Sequence, residues 1–235
     1  MPQLLNVTKK NSQSSIENRQ FKEGIVLKLD QMSIRDFLQE LSSANAAPGG
    51  GSVAALCGAL GAALSAMVSG LTRGREELKD AWQIMEEVKQ SADDLAARFL
   101  TLVQEDTDAY LQVMAALRLP KETQEQKACR KTAIEESMKR STRVPLETLR
   151  ASGKLIQIAQ QAVERGNPVA ITDAGGAVHL ARTAGAIAAY NVRINLSRIK
   201  DETFVSEHKK EVDETLKQME ALFAEVDGYI NAQLI

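Results

Sequence analysis

From Ser52 to Thr72 the chain carries no charged side chain, and no other segment constrains the fold as strongly. A run of that length could span a bilayer, which takes about 20 residues. It is built from Gly, Ala and Ser more than from Leu, Ile and Phe, so its insertion energy would be small. A helix without a polar face has one other stable place, the interior of a helical assembly. Small side chains suit that place, because they let neighbouring helices approach closely. Aromatic residues make up 4% of the chain against 44% hydrophobic overall, so the core has to come from Ala, Leu, Ile, Val and Met. The expected fold is all-α, a single-domain bundle of long helices around this central Ala/Gly-rich helix, with no membrane partner.

Residues 1–30 are mixed and polar and read as an N-terminal arm, flexible or docked elsewhere. The helical domain then covers residues 31–235. Ser33 has the place of an N-cap for a short helix carrying Phe37, Leu38 and Leu41, with Asp36 three residues on. The loop Ala47-Pro48-Gly49-Gly50-Gly51 ends that helix. Neither Gly nor Pro occurs from Arg75 to Leu117, which predicts one long helix or two in line. After Leu119-Pro120, residues Lys121 to Arg143 form the next helix. Pro145 is expected to restart another at a first-turn position, ending at Gly166-Asn167-Pro168. Thr172 is placed to cap a helix reaching about Lys200, and a last helix carries Val205, Val212, Leu216, Met219, Phe223 and Val226. No period-two strand pattern and no repeat occurs.

Net charge is -2, and no strongly basic domain exists, so nucleic acid is not an expected partner. Cys57 and Cys129 stand apart from any Cys-x-x-Cys pair and read as free thiols in a reducing compartment. The N-terminus lacks a signal-peptide pattern, so a cytoplasmic location is expected. His179 and His208 have no metal-ligand spacing, and no metal site is expected. Met67, Met85, Met114 and Met138 read as core filler.

A few polar residues interrupt the apolar faces. Leu95, Phe99, Leu102, Ala109, Val113 and Ala116 form one stripe at helical spacing, and Asp106 occupies a position within it. A carboxylate there costs several kcal/mol unless paired or neutral. Either it is a desolvated acid fit for proton transfer, or a structural carboxylate satisfied by an arginine or a helix N-terminus. Tyr110, one turn on, is within reach of it, whereas Asp108 faces solvent. In the helix after Thr172 the stripe is Ala177, Leu180, Ala184, Ile187 and Ile194. Asp173 and Asn191 fall on the same line at opposite ends, and Asn195 follows one turn later. A carboxylate in a first helical turn has a dipole role that explains Asp173 by itself. A buried Asn needs several partners. The loop Gly49-Gly50-Gly51-Ser52 opens onto a helix, where bare backbone N–H groups can approach a ligand. It is neither a Walker nor a dinucleotide motif.

Three segments together resemble the cyclodeaminase/cyclohydrolase family. They are Ala47-Pro-Gly-Gly-Gly-Ser-Val-Ala-Ala-Leu-Cys-Gly-Ala-Leu-Gly-Ala-Ala-Leu with Leu71-Thr-Arg-Gly-Arg75; Glu105-Asp-Thr-Asp-Ala-Tyr110 with Arg118-Leu-Pro-Lys121; and Asp173 through Ala189-Tyr-Asn-Val-Arg-Ile-Asn-Leu196. The resemblance implies an all-helical homodimer that binds a tetrahydrofolate derivative and needs no metal or redox cofactor. It implies one of two reactions. A cyclodeaminase closes 5-formimidoyl-tetrahydrofolate to the 5,10-methenyl form and releases ammonia. A cyclohydrolase opens the methenyl ring with water to 10-formyl-tetrahydrofolate. Asp106 then becomes the general acid/base. Asp173, Asn191, Asn195 and Tyr110 join the folate site, and Gly49, Gly50, Gly51 and Ser52 offer backbone donors. Arg75 and Lys121 would meet the glutamate carboxylates. The motifs do not separate the two reactions, and cyclodeamination is slightly preferred. The absence of room for a transferase domain in 235 residues favours hydrolysis. A non-catalytic folate-binding or assembly module is the remaining alternative.

Overall fold

A computed structural model describes residues 28–234. Six α-helices follow in order: α1 (Ile34–Leu41), α2 (Gly50–Arg73), α3 (Trp82–Leu117), α4 (Gln124–Arg165), α5 (Ile171–Leu196) and α6 (Glu202–Gln233). Short 3-10 turns stand at Leu29–Gln31, Glu76–Ala81 and Pro168–Ala170, and no strand occurs among the described residues. The all-α expectation holds.

Side-chain register fixes the topology. Along α2, Gly51 faces Asp106, Gly58 faces the Phe99 ring and the Ser69 hydroxyl donates to the Met85 carbonyl, so α2 and α3 run antiparallel. On another side Gly50 meets Asn191 and Gly61 meets the Ala177 carbonyl, so α5 is antiparallel to α2 as well. The α3–α4 and α5–α6 pairs are clamped by Arg98–Glu147 and by Arg193–Asp213, Arg182–Glu220 and His179–Asp227. A Cβ at Gly58 would overlap the fully buried Phe99 ring. That close approach is what the charge-free, small-residue sequence of α2 makes possible.

The helix α2 touches α3, α4 and α5. It is the one described helix long and apolar enough to cross a membrane, and 56% of that window is buried inside the fold. It is not enclosed on every side, however: Leu60 is 51% exposed, and Met67 and Leu71 are exposed beside it. The face of α5 that was expected inward is also rotated. The buried residues are Ala174, Gly175, Ala177, Val178, Ala181, Ala184, Gly185, Ala188, Ala189, Val192 and, at the end, Leu196, while Leu180 and Ile187 are half-buried and Ile194 is 56% exposed. Three helices crowd α5, so mostly small residues face them, while Leu180, Ile187 and Ile194 turn partly or wholly outward.

Other boundaries differ from expectation for local reasons. The helix α4 does not restart at Pro145 but runs through it, and Pro145 is buried. It begins later than Lys121, at a Thr123/Gln126 capping box. Thr172 does not cap α5, which starts at Ile171. Asn167 caps the preceding turn instead, its Oδ1 accepting from Val169 N at 3.0 Å. Ser33 does cap α1. Most of the proposed arm lies outside the described residues. Its end is docked: Leu29 is buried and its N–H donates to Gln104 Oε1 at 3.0 Å. Met85 and Met138 fill the core, whereas Met67 is exposed and Met114 half-buried.

Candidate active site

The polar interruptions meet at the first turn of α2. Gly49 is the N-cap and its residue type supplies no side-chain cap. The orphan N–H groups of a helix start must find acceptors elsewhere, and the acceptor here is Asp106 from α3. Its carboxylate lies against Gly51 so closely that a Cβ there would overlap it. The Ser52 backbone N–H hydrogen bonds to the carboxylate, and the Ser52 hydroxyl lies 3.3 Å from Asp106 Oδ2. That hydroxyl has one proton and its shorter contact is the Val103 carbonyl at 2.9 Å, with Thr107 Oγ1 at 3.4 Å.

Burial pushes the Asp106 carboxyl above the usual aspartate range, and the Ser52 hydroxyl and N–H pull only partly against that. An ordinary exposed cap would hold its charge readily. This one sits where charge is costly, so it is biased toward keeping a proton.

Asn191 stands across the same helix end. Its Nδ2 comes within 3.5 Å of where a Gly50 Cβ would be and donates to the Ile187 carbonyl at 2.9 Å. Gly50 and Gly51 are consecutive, about 3.8 Å apart at Cα, so a buried acid and an amide flank one bare helix start. Tyr110 is half-buried one turn beyond Asp106 but makes no hydrogen bond to it among the described residues. Ser52 is the partner instead.

The other expected residues are placed elsewhere. Asn195 donates to the Ser141 carbonyl at 3.0 Å. Residue 141 is four before Pro145, so its carbonyl is the one that Pro145, lacking an N–H, leaves unpaired. The Asn195 amide repairs the helix break that was expected at Pro145. Asp173 lies in the first turn of α5, about 27 Å along the helix from Asn191. Arg75 follows the far end of α2, about 36 Å from the glycines, is exposed, and pairs with Glu77 at 3.3 Å. Neither reaches the Asp106 site within one chain. Lys121 is exposed in the α3–α4 loop and lines a basic groove with Arg198 and Lys200.

Sequence reasoning passed over Thr107, which adjoins Ser52, and Arg98. Arg98 donates to both carboxylate oxygens of Glu105 and to Glu147, so Glu105, next to Asp106, is held in a structural ion pair. Arg98 and Glu105 are seven apart, a helical repeat that was readable. Glu147, on another helix, was not.

This geometry defines a class, an all-helical protein presenting a partly buried acid and an amide at a glycine-lined helix start. Comparison with known proteins makes it particular. A family model described as formiminotransferase-cyclodeaminase matches residues 33–214. The chain is 37% identical to a methenyltetrahydrofolate cyclohydrolase of Methylorubrum extorquens over 190 residues, 81% of this chain and 91% of that protein. It is 31% identical to the formimidoyltransferase-cyclodeaminase of Rattus norvegicus over 86% of its length, but spans only 37% of the rat protein. A solved structure of a formiminotetrahydrofolate cyclodeaminase from Thermotoga maritima superposes with a TM-score of 0.80 at 24% identity, covering 88% of this chain and all of that one, which bears on the fold. The chain belongs to the formiminotransferase-cyclodeaminase family.

Proposed function

We propose that the protein is a folate one-carbon enzyme acting on the carbon held between N5 and N10, and that it works as a methenyltetrahydrofolate cyclohydrolase. The observation that carries the site is the Asp106 carboxyl, buried against the bare start of α2 beside Asn191. The choice of hydrolysis, against the slight sequence preference for cyclodeamination, rests on the relative from Methylorubrum extorquens, which this chain matches over 91% of its length. Cyclodeamination is the second reading, favoured by the rat relative.

In the hydrolytic direction water attacks the methenyl carbon and Asp106 accepts its proton as the tetrahedral carbinol forms. Asp106 then returns that proton to N5 as the C–N5 bond breaks. The carbinol hydroxyl loses its proton to solvent, leaving the formyl group on N10. A carboxyl whose pKa is raised by burial suits both steps, since it takes a proton more readily than an ordinary aspartate and still gives it up to a basic nitrogen. The Gly50 and Gly51 backbone and the Asn191 amide orient the pterin. No metal or redox cofactor enters these steps.

A homodimer is part of the same proposal. Leu60, Met67 and Leu71 of α2 and Tyr190 and Ile194 of α5 are exposed apolar side chains on the two adjacent helices, and a second copy would cover them. Light scattering that returns a monomer at micromolar concentration would remove it. The proposed compartment is the cytoplasm.

Absorbance decides the reaction. Protein mixed with methenyltetrahydrofolate is expected to accelerate loss of the methenyl chromophore. If the chromophore instead appears from 5-formimidoyl-tetrahydrofolate, cyclodeamination is correct. No change in either mixture refutes the enzyme reading.

A further inference from the structure

One buried hydroxyl at the start of α2 stands among three oxygens. Ser52 is fully buried. Its Oγ lies 2.9 Å from the Val103 carbonyl, 3.3 Å from Asp106 Oδ2 and 3.4 Å from Thr107 Oγ1. A hydroxyl has one hydrogen and two lone pairs, so it serves one of these acceptors at a time. The Val103 carbonyl does not depend on it. Residue 103 is interior to α3, where its carbonyl also faces the N–H of Thr107, four residues on. The Ser52 hydrogen is therefore free to turn elsewhere.

The charge of Asp106 decides where it turns. A hydrogen bond to an ionised acceptor is about twice as strong as one between neutral groups. When Asp106 is ionised, Oδ2 is the better acceptor. Once the acid carries a proton on Oδ1, Oδ2 is an ordinary carbonyl oxygen and the closer Val103 carbonyl is preferred. Oδ1 lies over the bare Gly51 and accepts from no side chain among the described residues, which leaves it open to the travelling proton. Thr107 Oγ1 can donate to Ser52 Oγ while Ser52 donates to Asp106, and hydrogen bonds in such a chain strengthen one another.

No charged side chain competes for this acid. None occurs from Leu41 to Thr72, so α2 presents only neutral groups. In α5 the neighbour is the neutral Asn191, and Arg193 is paired with Asp213. In α3, Glu105 is bound to Arg98 together with Glu147 of α4, and Asp108 is exposed and held by Gln104. Tyr110 makes no hydrogen bond to Asp106 among the described residues. Hydrogen bonds from Ser52 are the local means of easing the charged state.

We propose that Ser52 is a positioning residue for Asp106, its hydroxyl hydrogen turning to Oδ2 when the acid is ionised and to the Val103 carbonyl when it is protonated, with Thr107 supporting the first arrangement. Ser52 keeps its own hydrogen throughout, so no proton passes through it. The Ser52 hydroxyl draws the Asp106 carboxyl down against the rise that burial causes, in the direction this switch requires. In the proposed hydrolysis Ser52 would hold Oδ2 while Oδ1 takes the proton of water. That consequence rests on the folate reading; the coupling of the two side chains does not.

Carbon-13 NMR on the full chain, labelled at the aspartate carboxyl carbons and free of folate, tests the coupling. The Asp106 signal is the one missing from Asp106→Asn. Ser52→Ala should move its titration midpoint upward, because the ionised form loses a donor. Thr107→Val should move it upward by less, and should add nothing in the Ser52→Ala background. Thermal midpoints identify a variant that fails to fold. Thr107→Val keeps the side-chain shape at a half-buried position and carries the test if Ser52→Ala does not fold. An unmoved or lowered midpoint overturns the proposal whatever the folate assays return, and an equal Thr107→Val shift in both backgrounds strikes Thr107 from it. In turnover of methenyltetrahydrofolate, the acid limb of kcat/KM should move upward with the NMR midpoint, costing Ser52→Ala about 10-fold below the limb. A limb that stays while the NMR midpoint moves overturns Asp106 as the acid/base of the reaction and, with it, the part of Ser52 in turnover.

Discussion

The two ends of α2 bury polar groups in different ways. At the C-terminal end everything is neutral and paired. The Ser69 hydroxyl donates to the Met85 carbonyl, and Thr72 Oγ1 donates to the Val68 carbonyl at 2.7 Å while accepting Asn167 N–H at 2.8 Å. Thr72 is fully buried and Asn167 nearly so. At the N-terminal end an acid takes the place of a neutral acceptor, and burial raises its pKa. Both ends satisfy the helix. Only one does so with a group that can exchange a proton, so a buried polar residue by itself does not mark a site, whereas a buried charge does.

The largest test of that contrast is Asp106→Asn. Asn is as good a helix-end acceptor as Asp, so the structural role survives and proton transfer does not. Turnover should fall by at least ~100-fold in a steady-state assay, with the fold intact. Unchanged turnover would reduce Asp106 to a cap. The same variant also has a pH signature. Because the folded-state pKa of Asp106 is raised, the protonated acid's full contribution to stability is present below its unfolded value of about 3.9 and is lost as pH rises through the folded value. As pH rises the wild type carries a growing cost for ionising a buried carboxyl, which the Asn amide does not. Asp106→Asn should therefore melt higher than wild type at pH 7, and the gap should close toward pH 4.

At the other end, Thr72→Val keeps the shape but strips the acceptor from the Asn167 N–H. Denaturant titration should show a loss of about 1–3 kcal/mol with kcat unaltered. A fall in kcat matching that of the Asp106 variant would erase the difference between the ends.

The smallest effect concerns Asn195, expected in the site and found repairing α4. Asn195→Ala should cost about 1 kcal/mol. In a Pro145→Ala background, where residue 145 regains its N–H, the cost should shrink. Additive losses in that double-mutant cycle would separate Asn195 from the proline.

Helix content and order were legible because hydrophobic period, glycine and proline are local signals. So was Asp106, since a carboxylate inside an apolar stripe is visible on one helix alone. The continuity of α4 through Pro145 was not, because the group that satisfies the Ser141 carbonyl comes from a residue 54 positions away. The buried face of α5 was misread for the same kind of reason: three crowding neighbours favour Ala and Gly inward over Leu and Ile.

By itself the sequence determined that the chain is helical, that α2 must be buried on most sides, and that an acid at 106 would need an explanation. Composition and spacing act through the local backbone and the cost of placing charge in an apolar surface. Only tertiary structure decided which acceptor meets which donor. It set Asp106 on the start of α2, Asn191 beside it, the Asn195 amide against the Ser141 carbonyl of α4, and Asp173 and Arg75 tens of ångströms away. Hydrogen bonds and desolvation fall off over a few ångströms, so residues on a shared helical face become a site only where the packing of other helices brings them within that range.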